Sequence, residues 1–232
     1  MHWTPVIIAL AAFAASAAHA SADPLSPVDS GNVTVTGRSF TPPQPNIFGT
    51  VALDAGVTPY GARWRRVSAA DERDPRVRAL GAAVAAATSD PVARLALVHG
   101  EVSDRVRWSN DLDTYGVSDY WAQAGETLSR GQGDSEDIAV LAMQVLKAAG
   151  FPARDIYLSI GRDKQRGADS LLLVRIAGQF YALDDRRPRP ELAQGRRQFT
   201  PIFTLGKNSA WIHGNRVATR ASARGVRTAL AR

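Results

Sequence analysis

The sequence predicts an α+β domain with N-terminal helices packed on an antiparallel β-sheet. Helix signals crowd the middle of the 232-residue chain and strand signals crowd its end, with no internal repeat. Segregated helices and strands, unlike alternating ones, give this class. Residues 23–45 are rich in Pro, Ser, Thr and Gly and read as a linker, part of a flexible or extended arm over residues 21–60. Residues 63–74 are highly charged and read as a surface connection into the main domain, expected over residues 61–214.

Residues 77–87 are alanine-rich and helical in character. Pro91, after Ser89-Asp90 as a cap, starts a second helix with Leu95, Val98, Val102 and Val106 on one face. Residues 108–120 carry Asn110, Asp111, Asp113 and Gly116 and read as a polar loop. The clearest helix follows. Asp134 can cap it; Ile138, Leu141, Ala142, Val145, Leu146 and Ala149 form one apolar stripe; Gly150 stops it and Pro152 prevents resumption. Residues 155–160 then alternate as a strand, and residues 171–176 are nearly continuous apolar, as in a central strand. Ala177-Gly178 is a turn returning residues 179–183 as the hairpin partner. Residues 199–205 and 210–213 add strands around Gly206-Lys207-Asn208.

Composition narrows the chemistry. The apolar run over residues 6–18 is short for a bilayer and ends in Ala18-His19-Ala20, so residues 1–20 read as a signal peptide cleaved after Ala20, giving a periplasmic or secreted protein. A retained anchor is the alternative, since the start lacks Lys and Arg. The chain has no cysteine, which excludes disulfides, thiolate metal sites and a thiolate nucleophile. Beyond the signal only His99 and His213 remain, so a multi-histidine metal centre is not expected. The net charge of +6 resides mostly in residues 215–232, where Arg216, Arg220, Arg224, Arg227 and Arg232 meet no acid. Without interleaved aromatics this basic tail does not indicate nucleic-acid binding.

The informative stretch runs from Gly131 to Ala139: a glycine loop enters a helix whose start holds Asp134, Ser135, Glu136 and Asp137. A side chain there faces unpaired N–H groups and the positive end of the helix dipole, a position used for nucleophilic thiols. The plainer reading is capping by Asp134 and Asp137, worth ~1 kcal/mol.

Several features in order resemble the bacterial transglutaminase-like cysteine proteinases, a family that includes a periplasmic protease releasing biofilm adhesins. They are Trp121, Glu126, Gly131 and Gly133, then Asp134-Ser135-Glu136-Asp137, and Leu146 to Gly150. Asp169 to Arg175, Gly178, Leu183-Asp184-Asp185 and Phe203 to Gly214 continue the pattern. The resemblance implies a papain-like/transglutaminase-like fold with a Cys-His-Asp triad at Ser135, Asp169 and Asp184. Ser135 replaces the cysteine, and Asp169 replaces the histidine (Ser170 if one residue is skipped); only Asp184 keeps its type. A degenerate member is therefore expected, non-catalytic, binding a peptide or adhesin segment in its cleft. Two rivals stand beside it. One is a hydrolase using Ser135 with a carboxylate or Lys164 as base; the other is a structural envelope protein acting through its tail. The resemblance also places Asp134, Glu136 and Asp137 at calcium positions, with Asp111 and Asp113 as conceivable additions. The spacing of Arg216, Arg220, Arg224 and Arg227 would align them on one helical face, toward an anionic membrane surface or an acidic partner.

Overall fold

A computed structural model describes residues 44–70 and 74–215. The expected signal, most of the arm before residue 44, and the tail arginines Arg216, Arg220, Arg224 and Arg227 lie outside the described residues.

Among the described residues, six α-helices precede most of the sheet: α1 (Gly61–Ala70), α2 (Pro75–Ala87), α3 (Pro91–Ser103), α4 (Asp111–Tyr115), α5 (Ala124–Arg130) and α6 (Ser135–Ala148). Their starts follow local chemistry. Asp74 and Asp90 cap α2 and α3, each with proline in the first turn. Gln123 and Glu126 form a capping box on α5. Helix α6 ends where Gly150, at φ +92°, lets Phe151 N–H reach Leu146 O (3.0 Å) and its own N–H reach Lys147 O (3.0 Å).

Two expectations are corrected. The charged stretch over residues 63–74 is not merely a connection, since α1 occupies most of it. Trp64 and Val67, three apart, are buried, and Trp64 Nε1 donates to Gly206 O at 2.7 Å. The polar loop over residues 108–120 contains α4, capped by Asn110 Oδ1 and holding a buried Asp111. Charge density masked both helices, because a helix with one buried stripe can be charged elsewhere.

The sheet is seven-stranded and antiparallel. Strands β4 (Ile156–Asp163), β5 (Gly167–Ile176), β6 (Gln179–Leu183) and β7 (Glu191–Leu192) lie on one side; β8 (Phe199–Leu205), β9 (Ala210–Asn215) and β1 (Thr50–Asp54) lie on the other, giving β1-β9-β8-β4-β5-β6-β7. Ala177 and Gly178, at φ +49° and +82°, form the two-residue β5–β6 turn, a mirror-type turn matched to strand twist. The end of the predicted arm is extended, as β1. Its outer side is partly closed by the chain itself: Asn46 Oδ1 accepts from Ala52 N–H, and Ile47 O from Thr50 N–H.

Helix α6 lies at the centre, packed on α2, α3, α5 and β5. Gly81 of α2 passes so near α6 that a Cβ there would meet Ala148 Cβ at 2.4 Å. Gln144, fully buried on α6, donates to Val67 O at 2.8 Å and binds the end of α1. A second core on the opposite sheet face gathers Ile47, Tyr157, Leu171, Leu173, Phe199 and Trp211. This is why β4 and the middle of β5 are buried on both faces instead of alternating. A parallel pair, β2 (Arg107–Trp108) with β3 (Gln132–Gly133), delivers the chain to the start of α6.

Candidate functional site

The start of α6 meets the β4–β5 and β6–β7 connections. Asp134 is the N-cap, its side chain accepting from Asp137 N–H at 3.2 Å, and Ser135 is the first helical residue. Ser135 is buried and adjoins Asp169, whose carboxylate its side chain helps stabilise. Arg166 Nη1 donates to Ser135 Oγ at 3.5 Å. No imidazole among the described residues hydrogen-bonds to Ser135. His99 Nε2 pairs with Arg187 O at 2.6 Å, and His213 sits between Thr50 and Thr204 hydroxyls at 2.7 and 2.8 Å. Lys164, on the exposed β4–β5 turn, donates its backbone N–H to Gln198 O and its side chain has no ion-pair partner among the described residues.

Asp169 and Asp184 are joined by a cation. The Arg186 guanidinium donates to Asp169 Oδ2 at 2.6 Å, to Asp184 Oδ1 and Oδ2 at 3.0 Å each, and pairs with Asp163 Oδ1 at 2.9 Å. Arg196 Nη2 also donates to Asp184 Oδ2. Arg166 forks onto Asp185 at 3.0–3.1 Å, and its guanidinium lies 4.7 Å from the Trp108 ring centroid. Arg166, Arg186 and Arg196 thus interlock with Asp163, Asp169, Asp184 and Asp185.

The network sets the electrostatics. Burial would raise the Asp184 carboxyl, but hydrogen bonds from Arg186 and Arg196 outweigh it and hold the group well below the usual range. At Asp169 burial prevails and the carboxyl is raised, against the opposing pull of Ser135, Arg186 and Arg166. Burial of Arg186 opposes its charge, yet its bonds to Asp184 and Asp163 raise its pKa further. It is a fixed cation that cannot accept a proton. Beside Ser135 the remaining cavity is about 20 Å3, lined by His99, Ser135, Ser170, Leu183 and Asp185. That is room for about one water.

A second feature lies behind Ser135. Carboxylate oxygens of Asp111, Asp134 and Asp137 lie within 4.8 Å of one another. Tyr120 N–H donates to Asp111 Oδ2 at 2.5 Å, and Ala122 N–H to Asp137 Oδ1 at 2.7 Å. Their other oxygens, Asp111 Oδ1 and Asp137 Oδ2, are buried without a partner. Burial, then neighbouring acids, push Asp137 up to about 7; Asp134, Glu136 and Asp111 are also raised, burial first. Crowded acids with two orphaned oxygens suit a hard divalent cation. Glu136 is half-buried and stands outside this group, while Asp111 stands within it. Gly133 serves the cluster, since a Cβ there would meet Asp137 Cβ at 2.7 Å.

Sequence reasoning had located Ser135, Asp169, Asp184, Asp134 and Asp137 along the chain, but not Arg166, Arg186 or Arg196. One local signal was available: Asp184 and Arg186 are two apart in a turn, where an aspartate side chain readily receives a backbone N–H, here from Arg186 at 3.0 Å.

The sequence profile of the family described as bacterial transglutaminase-like cysteine proteinase BTLCP matches residues 55–194. Solved structures similar to this chain include Legionella pneumophila LapG after EGTA treatment. It is 21% identical with a TM-score of 0.52, over 67% of this chain and 87% of that one. Legionella pneumophila LapG without further description is 21% identical with a TM-score of 0.50, over 65% and 86%. Its calcium-bound form is 20% identical with a TM-score of 0.49, over 65% and 86%. The first two show the fold, a papain-like/transglutaminase-like one. No match is found among curated protein sequences.

Proposed function

This chain belongs to the bacterial transglutaminase-like cysteine proteinases, and we propose that it is an exported, non-catalytic member of the family. One observation carries the reading. Between Asp169 and Asp184, at the positions the family resemblance gives to the catalytic histidine and aspartate, sits the guanidinium of Arg186. A histidine base must lose and gain a proton near neutral pH, and a guanidinium does neither. Ser135 therefore lacks the adjacent base that a hydroxyl nucleophile requires. Asp169, the carboxylate adjoining Ser135, is engaged by Arg186, and the cavity beside Ser135, about 20 Å3, has room for about one water.

The opposite reading, a hydrolase with Ser135 as nucleophile and Asp169 as base, draws support from their adjacency and the raised Asp169 carboxyl. Fluorophosphonate labelling separates the two: the non-catalytic reading expects Ser135 to stay unlabelled after prolonged exposure. Stoichiometric labelling, lost in Ser135→Ala, would sink it.

Calcium fits the acidic cluster. Asp111, Asp134 and Asp137 would hold it, fixing the start of α6 against the α4 and Trp121–Ala122 segments by neutralising acids that otherwise repel. Its role here is structural, with no reaction step. No helix among the described residues is long and apolar enough to cross a membrane. Placement in the periplasm rests on the Ala18-His19-Ala20 signal pattern. Fractionation of cells expressing the chain, with mass measurement of the mature N-terminus, checks that placement.

A further inference from the structure

Toward the far end of α6 the surface opens into a two-lobed groove. One lobe, about 380 Å3, is floored by Trp64, Met143 and Ile156 and edged by Arg65, Lys147 and Lys207. The other, about 500 Å3, runs past Gly56, Val57, Thr58 and Pro59 and shares Trp64, Arg65, Lys207 and Asn208 with the first. Met143 and Lys147 lie about 12–18 Å from Ser135 along the helix axis, so this is a separate site.

Four properties of the groove point to a ligand. No described lining residue is acidic, whereas three are basic. Arg65 and Lys207 are exposed and have no ion-pair partner among the described residues; Lys147 is anchored by Ser68 O at 3.1 Å and Gln144 Oε1 at 3.2 Å. The Thr58 hydroxyl is buried without a hydrogen-bond partner, although Thr58 is 92% buried. Val57, at the lip, is 97% exposed, an apolar side chain with nothing over it.

We infer that this groove binds an acidic, partly apolar peptide segment of another protein. The apolar floor would take alternate apolar side chains. Arg65 and Lys207 would face the acids between them, and Asn208 offers hydrogen bonds to a peptide main chain. Lobes of these volumes match sites that enclose compact ligands. Trp64 is recessed at 5% exposure, and the basic groups stand along a concavity. A flat lipid surface prefers protruding aromatics, whereas an inserted segment fits this shape. The chain's own C-terminal tail carries five arginines and no acid, so its charge does not complement the groove.

The test uses the purified chain and a fluorescein-labelled octapeptide alternating glutamate with leucine or phenylalanine. Saturable anisotropy is expected, weakening as salt rises, with none for the lysine-for-glutamate analogue. Arg65→Glu with Lys207→Glu, both at exposed positions, should lose at least tenfold in affinity with an unchanged circular-dichroism spectrum. Arg78→Glu, an exposed change outside the groove, should leave affinity unchanged. Absence of saturable binding, or equal loss from Arg78→Glu, overturns the inference. So does binding to phosphatidylglycerol vesicles but not to the peptide, which would make the groove a lipid site. Sedimentation showing a dimer that the double reversal dissociates would make it a self-interface, and likewise overturns it.

Discussion

Arg186→Met tests the network most directly. The substitution keeps much of the side-chain length and removes the cation shared by Asp163, Asp169 and Asp184. Those three carboxylates are only 3%, 2% and 1% exposed, so water cannot replace the lost partner. Removing one partner of a buried ion network costs about 3–5 kcal/mol, which in a domain of this size lowers Tm by about 6–20 °C. The deficit depends on pH. In the native protein Asp163 and Asp184 have lowered pKa values, so their stabilisation is full above the unfolded carboxylate value of about 3.9 and disappears as pH falls through the lower folded values. Asp169, already raised, works in the opposite sense and loses its contribution as pH rises through its folded pKa. Without Arg186 all three carboxylates shift upward, so the variant binds protons that the native protein does not. The stability gap, read by urea unfolding of both proteins, should be widest near pH 8 and narrow toward pH 5. Acids outside the network are common to both proteins and cancel. Arg186→Lys, keeping charge without the fork, should fall between. A gap under about 1 kcal/mol, the range of exposed pairs such as Arg63–Asp119, would refute the reasoning. A larger gap that stays constant from pH 5 to 8 would refute it too.

Three further variants have expected outcomes. Asp137→Asn keeps the acceptor for Ala122 N–H and removes an orphaned charge; it should raise the calcium-free Tm, by roughly 1–3 kcal/mol of stability. The same variant should abolish the added heat stability that calcium gives the native chain, both measured by scanning calorimetry with and without EGTA. Gly81→Ala gains up to about 1 kcal/mol of helix propensity but forces α2 against Ala148, so urea unfolding should show net destabilisation of about 1–2 kcal/mol. Ser135→Cys with Asp169→His should stay inactive toward a fluorogenic peptide, because Arg186 holds Asp184 and disfavours an imidazolium; any regained turnover requires Arg186→Ala as well.

Helix α6 was legible because its signals are local: Asp134 caps it, one stripe is apolar, and Gly150 stops it within two residues of its end. The β5–β6 hairpin was legible for the same reason, a two-residue turn between apolar strands. The absence of cysteine by itself excludes thiolate chemistry, whatever the fold. Helices α1 and α4 were missed because their buried residues are few among charged neighbours, and only contact with Gly206 and the acidic cluster gives those residues a destination.

The site's chemistry was decided in three dimensions. In the sequence, Asp184-Asp185-Arg186-Arg187 has the look of a solvated charge run. In the fold, Arg186 reaches Asp163 and Asp169, 23 and 17 positions away, while Arg166 reaches Ser135 across 31. Asp111 likewise joins Asp134 and Asp137 only when β2 and β3 align side by side. Caps, stripes and turns are set by neighbours a few bonds away, so residue order suffices to specify them. The partner of a buried charge is whatever the packed chain brings within about 3 Å, and packing alone makes that choice.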